Sequence, residues 1–257
     1  MTTIWGAGGI PRHVARLRSA HRLNDYMCRN DNRSASRLTL ADRFDRLLMR
    51  FSESERIDGL WIGVSFAKSK LEANLVLTRL KDALELIRRH DGIRYRRILR
   101  DLKGIWAQPH LMGGYTGKYN PRLKICELKL SHILDEQIAV VADTIVHEAT
   151  HARLMNVGIG YEETLRARVE AVCMRRERVF ASRLPDGSMI SELARRKLQW
   201  CDDPTYWTND SFDQRHVTIM VEGLKEEGAP QWIIAALMGL RRVIGAIRSR
   251  LRRTPPL

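Results

Sequence analysis

The stretch His147-Glu148-Ala149-Thr150-His151 sets two imidazoles four residues apart, with a carboxylate directly after the first. On an α-helix, residues i and i+4 lie on one face a turn apart, so both rings can serve one ion. Zinc takes histidine nitrogen and carboxylate oxygen in a tetrahedral set, and a catalytic zinc keeps one position for water. Glu148 is turned about 100° from His147 and falls outside that ligand set. It can still reach a water held there and act as general base, taking a proton from a water whose pKa the metal has lowered. Ile138, Val141, Ala142, Ile145 and Ala149 form an apolar stripe that would pack this helix down, with the histidines beside it.

The third ligand must come from downstream, where Glu162, Glu163, Glu170 and Glu177 stand. Gly158 and Gly160 supply a helix stop, and a second helix from Glu162 to Leu184 can return antiparallel to the first. At 1.5 Å per residue, the middle of the motif lies about 10 Å back from the first helix end, and Glu170 about 12 Å along the second. Glu170 therefore comes level with the histidines. Glu162 and Glu163 sit at the turn, where acids complement the helix dipole. Glu177 overshoots by about the same margin. The competing role for Glu170 is a surface pair with Arg166, one turn earlier.

Around this pair, apolar spacing predicts helices over 41–51, 70–90 and 135–156. Residues 93–103 fit a basic helix or a strand. GIWAQPH reads as a short strand, LMGGYTGKYNPRL as a hairpin or loop, and LKICELKLSHIL as a strand with imperfect alternation. LPDGS breaks the second helix of the pair. A loop-like CDDPTYWTNDS, a helix from about Phe212 to Glu227 and a last basic helix follow.

HEATH followed by eighteen residues and Glu170 resembles the HExxH-x18-E signature of the gluzincin branch of zinc metallopeptidases. The resemblance implies His147, His151 and Glu170 as Zn2+ ligands and Glu148 as catalytic base. It implies an α+β, mostly helical fold, in which a small antiparallel or mixed sheet precedes an HExxH helix and a glutamate-bearing helix. It also makes LKICELKLSHIL similar to the sheet-edge strand that holds an extended peptide or protein substrate. Many gluzincins carry an acid four residues after the distal ligand, hydrogen-bonded to a ligand histidine; here that position is Met174. Another group must then orient the imidazole, and Asp143, one turn before His147, is a candidate. Tyr115, Tyr119 and Tyr161 are candidates for steadying an oxyanion, while His110 and His132 read as structural or exposed.

The 257 residues divide into a loosely ordered basic arm (1–40, with a short helix over 11–19), a zincin-like metal-binding domain (41–184) and a helical extension (185–257). The formal net charge of +14 implies attraction to polyanions, and the arginines of the last helix place an anionic membrane surface ahead of nucleic acid as a partner for 229–257. Its apolar face (Trp232, Ile233, Ala236, Leu237, Leu240, Ile244 and Ile247) suits docking on the core or lying on such a surface. The cysteines at 28, 126, 173 and 201 form no CxxC pair, which argues against structural zinc held by cysteine and for a reducing compartment. No secretory signal is read at the start, so the expected location is cytoplasmic, with a peripheral membrane association through the tail. The alternative to an enzyme is a non-catalytic zincin-like binding protein attached through that tail.

Overall fold

The computed structural model describes residues 49, 52–109, 115–203, 205–226 and 228–240. The arm over 1–40, His110 and the arginine-rich end beyond 240 lie outside the described residues; of the expected helix over 41–51, Met49 is described and is helical. The elements run β1 (Glu53–Ile57), β2 (Leu60–Val64), α1 (Lys70–His90), α2 (Gly92–Asp101), β3 (Gly104–Gln108), β4 (Gly117–Asn120) and β5 (Ile125–Lys129). There follow α3 (Leu130–Asp135), α4 (Ile138–Asn156), α5 (Glu163–Ala181), α6 (Ser188–Leu198), a 3-10 turn (Gln199–Asp202) and α7 (Asn209–Glu226). Residues 231–240 are helical as well. The fold is α+β, mostly helical, with a small mixed sheet.

The sheet order is β1-β2-β3-β5-β4. β2, β3 and β5 are parallel neighbours, while β1 and β4 pair antiparallel at the two edges. β5 is thus interior, hydrogen-bonded on both sides, and β4 takes the edge that the resemblance assigned to LKICELKLSHIL. Both faces of β5 are covered, which explains its imperfect alternation. Cys126 and Leu128 join the helical core, while Ile125 packs with Trp106, Leu123 and Met49 on the other face. The same stretch ends its strand at Lys129, and SHIL continues as α3.

α1 forms because Val76, Leu80, Leu84 and Ile87 recur on one buried face, and because the Ser69 side chain accepts from the Glu72 amide. Asp91 ends it and caps α2, its carboxylate accepting from the Arg94 amide at 3.1 Å. That cap, with Tyr95 and Ile98 buried one turn apart, decides residues 93–101 as helix. The hairpin β1–β2 has no counterpart among the expected elements. Its turn, Asp58-Gly59, has φ of 48° and 90°, the two-residue geometry that Asp-Gly favours.

α4 begins at Ile138 instead of Asp135, because Glu136 is extended and separates it from α3. α4 packs against α1, α2, α5 and β4, which is why nearly every side chain from Val140 to Ala152 is buried. It stops in a Schellman turn: the Ile159 amide donates to the Leu154 carbonyl, the Gly158 amide to Met155, and Gly158 has φ of 82°. α5 returns beside it, and α6 lies along α5 with Ile190 in the main core, so packing continues past residue 184. Among the described residues, no helix is long and apolar enough to cross a membrane.

Candidate metal centre

The cluster sits between α4 and α5. His147 and His151 are 4% and 7% exposed, and their Nε2 atoms lie 3.1 Å apart. Glu170 faces them from α5, with Oε2 3.4 Å from Nε2 of His147 and Oε1 3.3 Å from Nε2 of His151. Donors around one tetrahedral zinc, each about 2.1 Å from the ion, stand about 3.4 Å from one another. The spacing of these three groups therefore fits a single such ion. Glu170 does not pair with Arg166, whose guanidinium donates to the Trp207 carbonyl (2.7 Å) and Asn209 Oδ1 (3.0 Å) and stacks 4.3 Å over Phe212. Glu163 caps α7, accepting from the Asn209 amide at 2.9 Å. This ties it to the start of a different helix from the one whose first turn it occupies.

Glu177 is not among the groups gathered at the Nε2 atoms, but it has a place at the other ring nitrogen of His147. Seven residues after Glu170, it lies two turns along the same face of α5. One of its carboxylate oxygens pairs with Nδ1 of His147. The antiparallel estimate placed α5 by a single metal ligand and left no use for the next acid on that face. A proton on Nδ1 that donates to Glu177 leaves the Nε2 lone pair for a ligand, the tautomer an imidazole ligand needs. This is the role sought for Asp143, and Asp143 does not fill it. Asp143 is 2% exposed, and its Oδ1 has no hydrogen-bond partner among the described residues. Burial, then the nearby charge of Glu177, pushes its carboxyl well above the usual carboxylate range.

The electrostatics favour positive charge at the centre. Burial disfavours a charged His147, but Glu177 and Glu170 outweigh it and hold His147 well above its ordinary value. Burial would likewise raise Glu170, yet His151 and His147 hold it below the ordinary carboxylate range. Glu148, Glu170 and Glu177 are each 1% exposed. A buried group so rich in carboxylate is stabilised by a cation.

Glu148 points to the sheet side of α4. A Cβ on Gly117 would stand 3.4 Å from Cγ of Glu148 and 2.7 Å from Cγ2 of Thr144. Only a bare α-carbon lets the edge strand approach this closely. Tyr161, in the turn between α4 and α5, donates to Oε1 of Glu170 at 2.5 Å and sets its ring edge-on to His151, centroids 5.5 Å apart. Tyr115 is buried two residues before Gly117, and Tyr119 lies in the main core. His132 is buried, its Nε2 3.0 Å from Oγ1 of Thr144.

Cys173, one turn after Glu170, is the residue that reading cysteines by CxxC spacing passes over. His147, His151 and Cys173 form a buried group, with donor atoms within 4.8 Å of one another, that could hold a metal. Two side chains thus compete for the third position. Glu170, with oxygens 3.3 and 3.4 Å from the two Nε2 atoms, stands at the spacing of ligands around one zinc ion. The signal for Cys173 was its i+3 offset from Glu170, which puts both on one helix face.

No family model, no curated protein and no solved structure matches this chain significantly.

Proposed function

We propose that the chain is a zinc-dependent hydrolase and, within that class, a peptidase. The observation that carries this reading is the convergence of His147, His151 and Glu170 within 3.4 Å, with Glu148 on the same helix beside the edge strand. When bound, zinc polarises a carbonyl and lowers the pKa of water. The rest belongs to the chain. Glu177 holds His147 with Nε2 inward, and Tyr161 holds Glu170. Glu148 takes a proton from the attacking water at a carboxylate oxygen and returns it to the leaving nitrogen. β4, an edge strand among the described residues, offers main-chain groups on which an extended peptide can add. Glu148→Gln tests this reading: zinc should stay bound at wild-type stoichiometry while turnover of a mixed peptide library is lost. Unchanged turnover would overturn Glu148 as base.

A specific observation supports a second reading. If Cys173 joins both histidines and Glu170, four donors close the site, the arrangement of a structural zinc, and the protein is a binding module. In either case an anionic membrane surface is the partner we propose for 229–257. Trp232 (72% exposed), Leu237 and Leu240 face outward from the 231–240 helix, while Ile234 turns inward. Trp232, Leu237 and Leu240 of the expected apolar face are thus exposed. Co-sedimentation with anionic liposomes should fall when 229–257 are removed; equal binding would discard the membrane.

A further inference from the structure

Lys197 is a lysine with almost no solvent. It is 2% exposed, on α6, outside the HExxH helix pair. Its neighbours Arg195 and Arg196 both pair with Glu192 at the surface. Lys197 instead turns inward, and its Nζ donates to Oε2 of Glu177 at 3.1 Å. The other oxygen of that carboxylate is on Nδ1 of His147. A buried ion pair is a poor source of stability, since two apolar side chains of similar size often serve better. Lysine is almost never fully buried unless paired. The chain spends a buried ammonium on the one carboxylate that orients a motif histidine.

We propose that Lys197 is a positioning residue of the His147 centre. It anchors Glu177 by one oxygen so that the other stays on Nδ1 of His147, keeping Nε2 aimed at Glu170 and His151. Without Lys197 the Glu177 carboxylate loses its partner on Oε2, and its hold on the imidazole weakens. The metal centre then extends to α6: residues 147 to 197 form one functional unit on three helices. This inference rests on the reading of His147 as a metal ligand, and its test separates the two.

The test has two readouts on the full chain. The first is zinc affinity by chelator competition. Lys197→Met should weaken it by about 10- to 100-fold, the range for losing an outer partner of a ligand histidine. Glu177→Leu should weaken it by a similar factor, and Glu177→Leu/Lys197→Met should be no weaker than Glu177→Leu alone, because the hold of Lys197 on His147 runs through Glu177. The second readout needs no metal. The Nδ1 proton of His147 should give a slowly exchanging imidazole resonance in the metal-free protein, and Lys197→Met should lose it. Wild-type zinc affinity and an intact resonance in Lys197→Met would overturn the proposal. So would losses that add in the double variant. If Lys197→Met does not fold, the double variant, with an apolar pair in place of the ion pair, carries the comparison against Glu177→Leu. If the wild type binds no zinc, the metal reading fails, and the resonance alone decides Lys197.

Discussion

Glu177 lies two turns beyond Glu170 on α5, and the two carboxylates grip His147 from opposite ring nitrogens: Glu170 faces Nε2, and Glu177 takes Nδ1. One helix thus supplies both a candidate ligand and the group that orients a second candidate ligand.

The choice of third donor is open to direct measurement. Glu170→Ala should leave the purified protein with substoichiometric zinc, while Cys173→Ser and Glu163→Ala should keep one zinc per chain. Zinc retained in Glu170→Ala and lost in Cys173→Ser would move the third position to sulfur, whereas zinc lost in both variants would favour the closed, structural reading.

Gly117→Ala should destabilise the fold by about 1–3 kcal/mol, because the added methyl meets Cγ2 of Thr144 at 2.7 Å and Cδ2 of Leu128 at 3.0 Å. Urea unfolding measures this. The strand must also back away from Glu148, so any activity should fall by more than the unfolded fraction explains.

His132 should make stability depend on acid. Burial first, then the charges of Lys197 and Lys129, lowers its pKa from 6.5 to about 4. A depressed pKa contributes stability that is present above the unfolded value and lost as pH falls toward the folded one. Stability should therefore decline between pH 6.5 and about 4, by up to about 3 kcal/mol from this group. His132→Gln should flatten that limb of the unfolding profile; an unchanged slope would assign the decline to other groups.

Asp143 works in the opposite direction. Its folded pKa is raised, so its contribution is full below the unfolded carboxylate value, near 3.9, and is lost as pH rises. Asp143→Asn, which mimics the protonated acid, should gain stability over the wild type as pH goes from acidic to neutral. A variant less stable at neutral pH than at acidic pH, relative to wild type, would refute the assignment.

The parts of the fold that the sequence made legible were those written in local spacing. The four-residue step of the histidines and the glycine at 158 were enough to pair α4 with α5 and bring Glu170 level. Lys197 could not be read that way, since nothing in SELARRKLQW distinguishes the buried lysine from its exposed arginine neighbours. Glu177 was set aside because a rise-per-residue estimate aligns backbones, whereas a glutamate side chain reaches about a helical turn beyond its own position. β4 reads only as part of a hairpin or loop, and the hairpin is the form it takes, antiparallel to β5, but nothing local marks it as the sheet edge. Its pairing with β5 is a tertiary fact, as is the parallel placement of β2 beside β3.

The carboxylate of Glu177 touches α4 through His147 and α6 through Lys197, while it is itself on α5. Three consecutive helices are thus knotted at one point. In native-state hydrogen exchange they should open as a single cooperative unit, with amides of α6 protected as long as those of α4. A ligand that binds the histidines would then slow exchange in α6 without touching it, by mass action on that shared opening.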